Sequence, residues 1–139
     1  MAIAALSQAS AQKNLTAQRL AKSKTLKDFG AICDGTTDDN LAVAAALHAA
    51  AGGAFTLLVD CPALIHIGSD IAKTIFIESG TTVVFSGGGK FITDNVYMPA
   101  FGIVHQHDIT FTNMRLEYNT RFPADCYGAK GYYRNGTFV

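Results

Sequence analysis

This sequence predicts a mainly-β chain: short strands stacked as the rungs of a parallel β-helix and closed by one α-helix. Three observations carry that expectation. From Ala54 onward, β-branched and aromatic residues come in short runs separated by Gly, Asn, Asp or Ser. Within one of those runs the apolar parity switches. Ile109 and Phe111 share one parity, whereas Met114, Leu116 and Tyr118 share the other. A strand with period two keeps one face inward, so such a switch needs a corner, and Asn113 tolerates the left-handed backbone that a corner uses. "IFIESGTTVVF" has a similar layout without the switch: Ile75 and Ile77, a corner at Ser79-Gly80, then Val83 and Phe85. The third observation is an Ala-rich helical segment just before the strands, thin enough to lie against a flat surface.

Taken in order, residues 1–25 are rich in Ala, Gln, Ser and Lys, with few large apolar side chains. They could hardly bury enough surface to fold alone, and are read either as a frayed tail or as a short N-terminal arm, helical or extended, that orders against a partner. Residues 26–53 are a capping turn and helix. Asp38, Asp39 and Asn40 precede "LAVAAALHAAA", and Thr37, Asp38 and Asp39 are the candidates to cap its free N–H groups and meet its dipole. The spacing of Leu41, Ala44, Ala45 and His48, widened by Val43 and Leu47, predicts the buried face. Gly52-Gly53 ends the helix. Residues 54–139 are read as the first rungs: "AFTLLVD", "ALIHIG", "KTIFIESGTTVVFSGGGKFITDN", "FGIVHQHDITFTNMRLEYN" and "KGYYRNGTFV". The competing sandwich of hairpins would call for tight two-residue turns, of which only Asn135-Gly136 is a strong example.

Composition narrows the function. Lys plus Arg equals Asp plus Glu at 11 each, and basic residues do not cluster beyond "KSKTLK", which argues against nucleic acid as a partner. No apolar run approaches the ~18 residues of a membrane span, so no membrane insertion is expected. Cys33, Cys61 and Cys126 are odd in number and lack a CxxC, which predicts free thiols and synthesis in a reducing cytoplasm. The start of the chain lacks the positive region of a signal peptide.

"DFGAICDGTTDD" (28–39) holds four Asp in twelve residues and invites a catalytic reading. Each template fails at a named place. A kinase "DFG" needs a glycine-rich loop and an HRD elsewhere. A calcium loop started at Asp34 puts Asp39 at its sixth position and Ala45 at its twelfth, where Gly and Glu are required. An aspartyl phosphatase would need its nucleophile at Ile32. "SGGGKF" lacks the first Gly and the Ser/Thr of a phosphate-binding loop. Further along, His105 and His107 are two apart, which on a strand puts them on one face as weak metal-ligand candidates; no metal or other cofactor is expected. Glycoside cleavage needs two carboxylates about 5–9 Å apart. Among Asp94, Asp108, Glu117 and Asp125, the pair Asp108 and Glu117 is the weak catalytic candidate, on the premise that acids stack on adjacent rungs about 4.8 Å apart.

The stretch "LKDFGAICDGTTDDNLAVAAALHAA" (26–50) resembles the N-terminal signature of the pectate-lyase-like right-handed β-helix superfamily. Asp28, Phe29, Gly30, Ala31, Asp34, Gly35, Thr37, Asp38 and Asp39 occupy the positions of that pattern. The superfamily includes polysaccharide-degrading enzymes and bacteriophage tailspikes. "VDCPALIHIG" keeps a Pro but lacks the Gly-Thr-Tyr that usually follows it there. The resemblance implies a right-handed coil whose open end is covered by the helix at 39–51, acids that are structural, and chemistry on later rungs. At 20–25 residues per solenoid repeat, residues 54–139 supply about three to five rungs, so a longer parent protein is expected. It also implies a homotrimer on the virion. Residues 1–25 would then bind other tail proteins, and the parent would recognise or degrade host surface polysaccharide. Two alternatives stand beside it: a secreted bacterial polysaccharide lyase or hydrolase, and a non-catalytic trimeric adaptor.

Overall fold

The computed structural model describes residues 22–68, 70–93 and 99–118. Nine short strands and one α-helix form their framework. The strands are β1 (Ser23–Thr25), β2 (Thr56–Val59), β3 (Pro62–Ile65), β4 (Ile75–Phe76), β5 (Thr82–Phe85), β6 (Lys90–Thr93), β7 (Phe101–Gly102), β8 (Thr110–Thr112) and β9 (Leu116–Tyr118), and the helix α1 is Asn40–Ala50. The fold is mainly β. Every strand pairing is parallel, which removes the sandwich of hairpins as an account of these residues.

Three sheets result, with orders β1-β2-β5-β8, β3-β6-β9 and β4-β7. They are called sheets I, II and III below. From β2 onward the chain visits I, II and III in turn and then repeats. Thr56 lies opposite Thr82, 26 residues on, and Thr82 lies opposite Thr110, 28 residues on. The strands are two to four residues long because corners interrupt them. Asn113, between β8 and β9, has φ 54°, and Gly80, between β4 and β5, has φ 81°. The first is the corner that the parity switch marks in the sequence, and the second is the corner expected at Ser79-Gly80. Glycine is required at 89 for another reason: a Cβ there would overlap the carbonyl group of Val59.

In-register stacking makes the core. Leu57, Val83 and Phe111 stand in one column of sheet I, and Ala63, Phe91 and Leu116 in one column of sheet II. Leu57, Val83, Ala63 and Phe91 are fully buried. Phe91 meets Phe85 edge-on at 5.1 Å and Phe101 at 5.3 Å, so rings from all three sheets interlock. Each ring brings a large apolar area and a favourable quadrupole geometry.

Helix α1 packs against β2, β3 and β4. Its buried residues are Asn40, Val43, Ala46, Leu47 and Ala50, whereas Leu41 is 86% exposed and His48 is exposed. The inward face is therefore rotated from the Leu41/Ala44/Ala45/His48 stripe expected from spacing. Two things decide it. Val43 and Leu47 bring more apolar area than the alanines, and buried Asn40 is accommodated by donating its Nδ2 to the Lys73 carbonyl at 3.1 Å. The helix ends at Gly52 and Gly53, with φ 68° and 73°. There the Gly52 N–H reaches the Ser79 carbonyl at 2.8 Å and His48 pairs with Glu78 at 2.7 Å, tying the helix end to the corner before β5.

The last three residues of the expected arm, Ser23–Thr25, form β1 and extend sheet I beyond β2. The rest of the arm up to Ala21, the run "KGYYRNGTFV", Asp94, Asp125 and Cys126 lie outside the described residues. No helix among the described residues is long and apolar enough to cross a membrane.

Candidate functional site

The Asp-rich stretch becomes a loop whose carboxylates are taken up by the chain's own N–H groups. Asp28 accepts from the Thr25 N–H at 2.7 Å and the Thr25 hydroxyl at 3.2 Å, closing the turn after β1. Asp34 accepts from the N–H groups of Thr36 and Thr37 through Oδ1, at 2.8 and 2.6 Å, and from the Thr37 hydroxyl through Oδ2 at 2.7 Å. Asp38 accepts through Oδ1 from the N–H groups of Asn40 (3.0 Å) and His66 (3.1 Å). Asp39 is buried and accepts from Ile32 N–H through Oδ1 at 2.7 Å and from Cys33 N–H through Oδ2 at 2.9 Å.

The three residues expected to cap α1 thus divide the work. Asp39 occupies the cap position, where its carbonyl accepts the Val43 N–H at 2.9 Å, but its carboxylate turns back to the loop. Asp38 satisfies the first helical N–H, that of Asn40. The Thr37 hydroxyl is spent on Asp34 and does not meet the helix. The reason is local competition: Asp34 lies three residues upstream and offers a charged acceptor, which outbids a helix amide for a hydroxyl.

These bonds have an electrostatic consequence. The Thr37 and Thr36 amides, followed by the Thr37 hydroxyl, hold the Asp34 carboxyl well below the usual carboxylate range. A carboxyl depressed in the folded state stabilises the fold above its unfolded pKa of about 3.9 and loses that contribution as pH falls through the folded value. Asp34→Asn is therefore expected to unfold less steeply with acid below about pH 4, and to be less stable than the parent at neutral pH. Melts from pH 7 to pH 2 check this. A variant whose acid profile parallels the parent's removes Asp34 from that role.

The loop also covers part of the wall. The Asp39 N–H donates to the Leu64 carbonyl at 2.8 Å, and Gly35 lies against Pro62 and Ile92. Leu64 and Ile92 share the parity that faces away from the core in sheet II, yet both are buried, because the loop lies on them. A disulfide joins Cys33 in this loop to Cys61, which precedes β3, with Cα atoms 5.5 Å apart. The expectation of free thiols is corrected for these two residues. Their sequence separation of 28 matches no motif, and only the loop's path over sheet II brings them together.

The weak catalytic pair is placed on separate elements. Asp108 lies in the corner before β8 and pairs with its neighbour His107 at 2.7 Å. Glu117 lies in β9 and pairs with Lys90 of β6 at 2.6 Å. The residue in register with Glu117 on the adjacent strand is Ile92, so Glu117 does not stack on an acid there. The Lys90–Glu117 pair was not legible in the sequence, because it depends on the register of β6 against β9. His105 and His107 are not on a strand. They occupy the exposed segment between β7 and β8, where His105 has φ 53° and Asp108 has φ 56°, so strand parity does not put the two imidazoles on one face. Among the described residues no group of three His, Cys, Asp or Glu side chains is arranged to hold a metal ion.

Sheet I carries an open groove of about 490 Å³ on its outer face, lined by Phe55, Thr56, Thr82, Val84, Thr110 and Thr112. Thr56, Thr82 and Thr110 are in register on successive strands, which sets three hydroxyls in a row. No family model, curated protein or solved structure matches this chain.

Proposed function

We propose that this chain is the N-terminal, β-helix-initiating part of a phage tailspike or tail fibre, and that its sheets are the first turns of a right-handed parallel β-helix. In this reading residues 1–25 attach to other virion tail proteins. The assembly is a homotrimer, and the parent protein recognises or degrades host surface polysaccharide. One observation carries the reading above the others. The stretch that resembles the superfamily's N-terminal signature leads into a helix lying against β2, β3 and β4, one strand from each of the three parallel sheets that the chain visits in turn. A coil of parallel strands leaves an apolar, unpaired end that needs such a cover. The trimer is supported by exposed apolar side chains around sheet III: Phe76 on β4, and Ile103 and Val104 just after β7, each more than half exposed. Exposed apolar groups gathered in this way are characteristic of association surfaces.

Light scattering on a gel-filtered sample tests the assembly, with a mass of three chains expected. A stable monomer across micromolar concentrations contradicts the trimeric tailspike. A second reading, a secreted polysaccharide lyase or hydrolase, is favoured by the Cys33–Cys61 disulfide, since such bonds persist in oxidising compartments. Incubation with capsular and pectic polysaccharides separates the two. Chain cleavage by residues 1–139 favours the enzyme, and binding without cleavage favours the spike.

A further inference from the structure

We propose that Cys33 and Cys61 form a reversible thiol–disulfide lock on the Asp-rich loop, and that opening it frees residues 32–37 while the parallel sheets stay in place. The loop is fastened to sheet II at two ends by different means. At its downstream end the ties are hydrogen bonds: Asp39 N–H to the Leu64 carbonyl at 2.8 Å, and His66 N–H to the Asp38 carboxylate at 3.1 Å. At its upstream end the tie is the covalent bond from Cys33 to Cys61. Between them Gly35 meets Pro62 and Ile92 through packing. The carboxylates of Asp34 and Asp39 bond to Thr36, Thr37, Ile32 and Cys33, all within the loop itself. They brace the loop, and Asp39 links Ile32 and Cys33 to the hinge, but none of these carboxylate bonds reaches sheet II itself. Breaking the bond therefore releases a flap that remains hinged at Asp38 and Asp39 and whose internal hydrogen bonds, no longer held against sheet II, open more often.

Two further features suit a lock. Cys33 has φ 62°, a left-handed conformation that a residue with a Cβ adopts at a cost, so the fastened state holds backbone strain that an open loop sheds. Cys33 is also half-buried where Cys61 is buried, so Cys33 is the less enclosed of the two partners. A dithiol reductant opens the bond in two balanced steps. Its first thiolate attacks Cys33 Sγ, forming a mixed disulfide and expelling Cys61 as a thiolate that takes up a proton. Its second thiolate then closes the reductant's own ring and expels Cys33 Sγ. Two electrons pass to the protein, and the reductant leaves as a cyclic disulfide. Glutathione disulfide reverses the change through the opposite exchanges. The flap is thus open in a reducing compartment and fastened in an oxidising one, whichever function the chain serves.

Hydrogen exchange read by mass spectrometry on the full chain, with and without dithiothreitol, tests this. On reduction, peptides covering 31–37 are expected to exchange about tenfold faster or more, whereas β2, β5 and β6 keep their protection. Glutathione disulfide should restore the slow rate. Cys61→Ser should show the fast rate in both conditions. Should that variant fail to fold, the parent protein, alkylated at Cys33 after reduction, supplies the same comparison. Three results overturn the lock: unchanged exchange at 31–37 after complete reduction, loss of protection in the sheets along with the loop, or peptide mapping of the oxidised protein that finds Cys33 and Cys61 as free thiols.

Discussion

Replacing Phe91 by alanine is expected to destabilise the protein by about 4 kcal/mol, the size found when a fully buried aromatic side chain is truncated to a methyl group. Phe91 has no solvent exposure, and it touches the Phe85 and Phe101 rings at 5.1 and 5.3 Å between centroids. The loss has two parts. The transfer of the ring out of the core comes first. The cavity comes second, and it cannot collapse easily because strands above and below hold its walls in register. For a domain of about this size the melting temperature should fall on the order of 20 °C. Phe91→Leu, which retains most of the volume, should cost less than half as much. Phe76→Ala is the control. That ring is 56% exposed, on the outer face of sheet III, and its loss should move the monomer's stability by about 0.5 kcal/mol. A Phe91→Ala protein that melts with the parent means that the three sheets do not share this core.

The second large effect is expected at Asp39, and it separates one aspartate from its neighbour. Asp39→Ala should cost about 3 kcal/mol, because two charge-assisted hydrogen bonds disappear and the Ile32 and Cys33 amides lose their acceptor. Asp39→Asn keeps one carbonyl oxygen and should recover roughly half of that. Asp38→Ala should cost on the order of 1 kcal/mol, since that carboxylate is exposed and serves the first helical amide and His66. Urea midpoints for the three variants give the comparison. If Asp38→Ala proves the more damaging, the helix end and not the loop is what these acids hold. A lost binding or cleavage activity with unchanged unfolding would return the stretch to chemistry.

How much of this was legible beforehand depends on the range of the interaction involved. The corner at Asn113 is written in the parity of Ile109, Phe111, Met114 and Leu116, and its backbone is left-handed. The runs that became β2, β5 and β6 are marked by β-branched and aromatic residues between glycines. The helix announced itself by its alanines and closing glycines, but its inward face did not. An Ala-rich helix has little contrast between its sides, and the choice falls to whatever it lies against. In the candidate site, the spacing of the acids departs from known metal and phosphate templates, and that much is read from the sequence. Which amide each would accept is not.

What the sequence by itself determined is local: strand runs, corners, the helix and its ends, and the failure of the acidic stretch to meet any catalytic template. Those follow from side-chain parity, backbone propensity and spacing over a few residues. What only the tertiary structure decided is every partnership between separate elements of the chain. Such partnerships are the Cys33–Cys61 bond, the Lys90–Glu117 pair, the aromatic cluster around Phe91 and the loop lying over Leu64 and Ile92. The physical reason is that register in a parallel sheet is set by how whole columns of side chains stack, and no single column can be read before its neighbours are in place.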